Sequence, residues 1–275
     1  MGLHFCSLNS GSNANCYYIG NSEDAVLIDA GLSCRETERR MNRAGLNMEK
    51  IRAIFISHEH IDHITGLPAL TKKYRLPVYI TPSTLNGSNL PVDGELVSSF
   101  SANKNIEIGS LTITGFLKSH DAADPHSFII SDGNVNVGVF TDLGYADKEV
   151  IRHFKLCHAA FLESNYCDTM LANGHYPPHL KRRISGKRGH LSNAQALELF
   201  TMHRPKQLRY LVLAHLSKNN NDPSLVNRLF SEQAGNVQVH VASRYEASPV
   251  FFTGSGGKIT AAATPASGNN QLSLF

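Results

Sequence analysis

SHEHIDHITG, Ser57–Gly66, follows the apolar run IRAIFI (51–56) and leads into GLPALTKKY (66–74). The run reads as a buried strand from its β-branched and aromatic content, and the segment after the turn as a helix. Four side chains able to bind a metal, His58, His60, Asp62 and His63, are thus compressed into one strand-to-helix turn. On a locally extended backbone alternate side chains point the same way, so His58 and His60 can converge on one cation. Asp62 and His63, past the bend, turn toward a second. A solvated polar loop is the plain alternative, but this one is flanked by apolar segments and holds three imidazoles with a carboxylate.

One turn offers too few ligands for two ions, so further donors are expected at the ends of later strands, at a sheet edge that a ligand can reach. Three positions qualify: His120 in KSHDAADPHSF, Asp142 in VFTDLG and His215 in LVLAHLS, each closing an apolar strand pattern. The chain has 14 histidines, and these are the ones whose placement suits a shared site.

Outward from the turn, strand and helix patterns alternate. YYIG and AVLIDAG are expected as strands, CRETERRMNRAG as a helix capped by Ser33 and stopped by Gly45, and PVYIT as a strand. IEIGSLTITGF and SFIISDGNVNVGVF predict two hairpins, with turns at Gly109-Ser110 and Asp132-Gly133-Asn134. Then come a helix (ADKEVIRHFKLC), a strand (AAFLES), a polar helical stretch (MLANGHYPPHLKRR), a helix (SNAQALELFTMH), the strand LRYLVLAH, a helix after Pro223, and strands around VQVHVAS and PVFFT. Helices following strands in both halves predict an α/β fold of two mixed sheets, packed face to face and covered outside by helices, over residues 1–253. From Gly254 the composition, GSGGKITAAATPASGNN, is that of a flexible linker.

HEHIDH, a lone His, a strand-end Asp and a second lone His together resemble the motif pattern of the metallo-β-lactamase superfamily, which implies a four-layer αββα sandwich with metals at one edge. The early LIDAG resembles that superfamily's first motif, in which Asp29 would brace the metal loop. Carried over, the resemblance gives one ion to His58, His60 and His120 and the other to Asp62, His63 and His215, with Asp142 bridging. SLNSGSNANCYYIG, SHDAADP, TDLGY, ESNYCDTML, RRISGKRGHLSN and AHLSKNNN narrow it: roughly Leu3 to Ala242 is similar to the bacterial YycJ/WalJ group, associated with 5′-to-3′ DNA exonuclease activity.

Imidazole and carboxylate donors without thiolate suit zinc or manganese and do not exclude iron. Two such cations about 3.5–4 Å apart would support phosphodiester hydrolysis, with Asp62 placed to orient the attacking water. Phosphate contacts are expected from Ser10, Ser12 and Asn13 in NSGSNAN and from Lys187, Arg188 and Ser192 in SGKRGHLSN. His190 is the candidate phosphate ligand or general acid. Lys181, Arg182 and Arg183 could touch a DNA backbone or form a solvated basic face.

The 41% apolar and 18% charged composition is that of an ordinary globular protein, and a net charge of +3 neither requires nor excludes a polyanion. The N-terminus lacks a secretory pattern and no run suits a membrane span, so the protein is expected to be cytoplasmic and off the membrane. Five unpaired-looking cysteines agree with reduced thiols. A thiolester hydrolase of the glyoxalase type and a transfer-RNA-processing nuclease remain alternatives, as does a binding protein with a vestigial site, although no ligand is missing. The closing QLSLF resembles the peptide by which bacterial replication and repair proteins dock on the DNA sliding clamp, with Gln271, Leu272, Leu274 and Phe275 at the anchor positions.

Overall fold

A computed structural model describes residues 2–254; Met1, the segment 255–275 and the Gln271–Phe275 peptide lie outside the described residues. In chain order the first half comprises β1 (Gly2–Asn9), β2 (Cys16–Gly20), β3 (Ala25–Ile28), α1 (Cys34–Arg43), β4 (Ile51–Phe55), α2 (Ile61–Ile64), α3 (Leu67–Tyr74), β5 (Val78–Tyr79), α4 (Pro82–Ser88) and β6 (Val97–Ser98). The second comprises β7 (Asn105–Ile108), β8 (Leu111–Leu117), β9 (His126–Ser131), β10 (Asn136–Phe140), α5 (Lys148–Phe154), β11 (Ala159–Glu163), α6 (Asp168–Asn173), α7 (Pro178–Ile184), α8 (Asn193–His203), β12 (Tyr210–Ala214), α9 (Pro223–Ser231), β13 (Gln238–Val241) and β14 (Phe251–Gly254).

The strands form two seven-stranded sheets, ordered β14-β1-β2-β3-β4-β5-β6 and β13-β12-β11-β10-β9-β8-β7. Both are mixed, parallel along β3-β4-β5-β6 and β10-β11-β12-β13 and antiparallel elsewhere. Because strand side chains alternate, the central strands feed two cores at once. Phe5, Tyr17, Ile19, Val26 and Phe55 meet Ile113, Phe128, Val137, Val139 and Phe161 between the sheets. Cys6, Tyr18, Leu27 and Ile54 turn outward to Met41, Leu67 and Leu70 of α1 and α3. Phe140, Leu162, Leu211 and Leu213 turn outward to Phe154, Phe200 and Phe230 of α5, α8 and α9. The expected four-layer αββα sandwich is the observed one.

Both expected hairpins form, with Gly109 at φ +57° and Asp132 accepting from the N–H groups of Asn134 and Val135. Ser33 caps α1 by accepting from Glu36 N–H, and Gly45 ends that segment at φ +70°. Several features depart from the sequence pattern, among them α4 and β6, which form where no element is expected. β1 was not anticipated, because GLHFCSLN mixes small and polar residues; it is buried on both faces between β14 and β2. The polar helical stretch divides into α6 and α7, since Pro177 and Pro178 break one helix and start the next. Gly254, grouped with the linker on composition, pairs with Gly2 as the last residue of β14. All five cysteines are free thiols, and no helix among the described residues is long and apolar enough to cross a membrane.

Candidate metal centre

The sheets bring the strand-end residues together at one edge. Donor atoms of His58, His60 and His120 lie within 4.8 Å of one another, as do those of Asp62, His63 and His215. Asp142 stands between the two sets, with Oδ2 3.4 Å from His63 Nε2 and Oδ1 3.4 Å from His215 Nε2 and 3.8 Å from His120 Nε2. His60 presents Nδ1 to the cluster, 3.4 Å from His120 Nε2.

The surrounding acceptors decide which imidazole nitrogen faces inward. A carboxylate or carbonyl oxygen can accept but not donate, so the nitrogen facing it must carry the proton. His63 Nδ1–H donates to Asp29 Oδ2 at 2.7 Å, His120 Nδ1–H to the Gly189 carbonyl at 3.0 Å and His215 Nδ1–H to Glu163 Oε1 at 3.2 Å. Ser57 Oγ donates to Asp29 Oδ2 at 2.9 Å, which leaves it to accept from His58 Nδ1–H at 2.9 Å. Asp29 Oδ1 meanwhile accepts from Ser57 N–H at 2.8 Å, tying the turn to β3. These bonds occupy Nδ1 of each ring and leave Nε2 as the atom that faces the cluster. The buried His58 Nε2, His215 Nε2 and Asp142 Oδ2 have no hydrogen-bond partner. Buried polar atoms left without a partner are costly, and divalent cations fit the donor set they form.

The electrostatics agree. Burial alone would lower His63 and His215, but the Asp29, Asp62 and Asp142 carboxylates hold His63 well above the usual range, and Asp142, Asp62 and Glu163 push His215 up to about 10. Burial dominates at His58, held well below the usual range, and at His120, lowered to about 4. Burial would raise Asp142, yet His215, His63 and Lys118 keep it well below the ordinary carboxyl range. The site is electron-rich enough to draw protons onto two imidazoles in the absence of a cation. Cation binding must displace those protons.

Three strand-end residues, Asp29, Asp142 and His215, adopt left-handed backbone conformations at φ 62°, 56° and 56°. Non-glycine residues are rare there and cost about 1–3 kcal/mol each, so these turns are held by their surroundings. His215 N–H is tied to Ser10 Oγ at 2.7 Å, and Asp29 N–H to the Phe55 carbonyl at 2.8 Å. Two glycines let the HEHIDH turn pack close: a Cβ on Gly31 would sit 1.8 Å from the Asp62 carbonyl oxygen, and one on Gly66 1.7 Å from that of Leu32.

The expected phosphate contacts fare differently. Ser10 is buried and spent on His215 N–H and the Tyr17 hydroxyl, so it offers nothing to a phosphate. Ser192 is likewise buried and caps α8, where its side chain accepts from Gln195 N–H and the Gln195 side chain accepts from Ser192 N–H. Arg188 lies beside the cluster but binds the His120 and Ala122 carbonyls, bracing the His120 loop. Lys187, Ser12 and Asn13 are exposed on the rim, with Ser12 and Asn13 bonded to Arg244. Lys181 binds the Ala172 carbonyl and Arg183 pairs with Asp121, which leaves Arg182 exposed on α7. His190 overlies the cluster, stacked 5.2 Å from His215, with Nδ1 held by Glu163 Oε1 at 2.8 Å.

Three residues of the site escaped the sequence pattern. Glu163 is fully buried, and Oε2 accepts from Leu143 and Leu191 N–H while Oε1 serves His190 and His215. His190 and His215 hold its carboxyl at about 2 against the upward push of burial. Asn15 Nδ2 lies 3.0 Å from Asp62 Oδ2 and 3.1 Å from His63 Nε2. Lys118 is buried with its ammonium on the Thr141 carbonyl, 4.0 Å from Asp142. Single acids, amides and lysines in apolar or loop segments carry no spacing that would announce them.

Residues 24–216 match the family model described as a β-lactamase superfamily domain. The chain is 37% identical over 237 residues to exodeoxyribonuclease YycJ of Bacillus anthracis, across 84% of this chain and 89% of that protein. It is 30% identical over 257 residues to exodeoxyribonuclease WalJ of Streptococcus pneumoniae, across 90% of this chain and 96% of that one. Among solved structures, the metallo-β-lactamase fold protein YhfI of Bacillus subtilis superposes with a TM-score of 0.71 over 90% of this chain and 99% of its own, at 16% identity, which speaks to fold alone.

Proposed function

The chain belongs to the β-lactamase superfamily, as a YycJ/WalJ-type hydrolase, and from that premise we propose that it is a metal-dependent nuclease that degrades DNA. The finer reading is 5′-to-3′ exonucleolytic hydrolysis of phosphodiesters in repair or replication. The observation that carries it is the convergence of His58, His60, Asp62, His63, His120, Asp142 and His215 on one edge, with His58 Nε2, Asp142 Oδ2 and His215 Nε2 buried and without a hydrogen-bond partner. His58, His60 and His120 would hold one divalent cation and Asp62, His63 and His215 the other, with Asp142 shared. Zinc or manganese fits these donors. When bound, such a pair supplies a nucleophile from water near neutral pH and offsets charge on the phosphoryl and leaving oxygens.

The chain's own groups do the rest. Asp62 is about one-sixth exposed at its side chain, unlike the sealed His63, and so can orient the attacking water as well as ligate. His190 is held by Glu163 through Nδ1, which leaves Nε2 to meet a phosphate oxygen or give a proton to the leaving group. Lys187, exposed next to Arg188, is the remaining candidate for a contact with the strand. Beyond the described residues, Gln271, Leu272, Leu274 and Phe275 match the clamp-docking pattern, which supports a tether to the DNA sliding clamp.

The test pairs metal analysis of the purified chain with digestion of 5′- and 3′-labelled DNA duplexes. Activity should vanish on chelation, return with manganese or zinc, and release label from the 5′ end first. Digestion that persists without metal, or cleavage of a glutathione thiolester with DNA left intact, would overturn the reading.

A further inference from the structure

The parallel strands of the second sheet end at a common edge. The ends of β10, β11 and β12 deliver Asp142, Glu163 and His215 to the cluster. The fourth, β13, brings no donor to the cluster and runs out into Ala242-Ser243-Arg244-Tyr245. These residues, with Leu216, Ser217 and Lys218 from the end of β12, bound a cleft of about 270 Å³. It adjoins the metal centre, because Leu216 follows His215 and the lining residue Ser10 holds His215 N–H. Ligands of open α/β sheets bind beyond the carboxyl ends of parallel strands, and within this sheet the β13 end is the one the cluster leaves unused.

The lining chemistry is selective. It contains two cations, Lys218 and Arg244, and no carboxylate, and neither cation forms an ion pair among the described residues. Tyr245 is mounted firmly through its backbone: its carbonyl accepts from Arg40 at 2.8 Å and its N–H donates to Ser243 Oγ at 3.0 Å. Its side chain, by contrast, leaves the residue 68% exposed, so the ring adds little to the core. A backbone-anchored, exposed aromatic beside unpaired positive charge suits a stacking platform with an anion site. The volume falls just below the usual range of small-ligand pockets, which leaves room for one nucleotide and not for a duplex.

We propose that this cleft is a subsite for a single nucleotide of the substrate strand, its base stacked on Tyr245 and its phosphate held by Lys218 and Arg244. The proposal rests on the nuclease reading and extends it by naming the group that sits next to the reacting phosphate. A second role for the same residues, closing the β1-β2 loop through the Arg244–Ser12 and Asn13–Arg244 bonds, does not require the Tyr245 ring.

The experiment follows quenching of a fluorescent aminopurine deoxynucleoside monophosphate on the full chain, beside hydrolysis of a short DNA strand. Tyr245→Ala should weaken nucleotide binding about tenfold and raise KM for DNA by a similar factor with kcat within about twofold, while Tyr245→Phe keeps both. On a strand whose bases have been removed, the alanine variant and the parent should react alike. Equal nucleotide affinity in the parent and Tyr245→Ala overturns the subsite, whether or not DNA is cut. A parent chain that binds the nucleotide through Tyr245 but leaves DNA intact upholds the subsite and removes the nuclease reading instead.

Discussion

Glu163 shows how much of the centre depends on a residue outside the seven expected ligands. Its two oxygens accept two backbone N–H groups and two imidazoles, all within a fully buried site. Glu163→Gln keeps the shape but turns one oxygen into an N–H donor facing groups that already donate. Such a change strands a buried donor, at about 1–3 kcal/mol, and loosens two imidazoles whose tautomers it set. The expected outcome is a stability loss of that size in urea titration together with a fall of about 10- to 100-fold in metal affinity or activity. Unchanged metal affinity would mean that His215 is fixed by Asn165 and the backbone instead. The HEHIDH donors were legible in the sequence because histidine at short spacing beside an apolar run has few other uses, and His120, Asp142 and His215 because each closes an apolar strand pattern. Glu163 was not, since AAFLES is an unremarkable buried strand with a polar last residue, and Ser10 and Ser192 misled because polar residues near an anion site serve backbone turns equally well.

At the scale of elements, legibility followed burial pattern. Strands with continuous apolar runs and helices with clear caps could be located, whereas β1 and α4 are specified by neighbours: β1 by its place between β2 and β14, and α4 by Thr81 capping PSTLNGS. α5 carries a buried group with a pH signature of its own. His153 stacks on Phe116 with centroids 4.0 Å apart, its Nδ1 has no partner, and burial together with the neighbouring Arg152 guanidinium lowers it to about 4 from an ordinary 6.5. A histidine depressed on folding binds its proton more readily when unfolded, so stability is intact above pH 6.5 and drains away as pH falls toward 4. With chelator present throughout, the urea midpoint of the parent should fall between pH 7.5 and pH 5 by more than that of His153→Phe, which keeps the stack and removes the titration. Parallel losses in the two proteins would assign the pH dependence to other groups.

Across the whole molecule, the site is a seam between two sheets of matching construction. The first supplies Asp29 and the HEHIDH turn, the second His120, Asp142, His190 and His215, so the cluster forms when the sheets are packed and its geometry reports on the fold as a unit. A net charge of just +3 gives the chain as a whole modest long-range attraction to DNA. A docking peptide would add to it by raising the local concentration of the domain at clamp-loaded DNA, to about millimolar for a short connecting segment, with no new contact at the cleft. Gln271, Leu272, Leu274 and Phe275 are the residues that would do so, and removing Gln271–Phe275 is the test of that proposal. The truncated chain should lose binding to the bacterial sliding clamp in a direct interaction assay while its kcat/KM on short oligonucleotides stays within about twofold of the parent. Clamp affinity that survives the truncation would move the contact onto the folded domain, and a matching loss of oligonucleotide hydrolysis would show that the peptide serves the domain's own substrate binding.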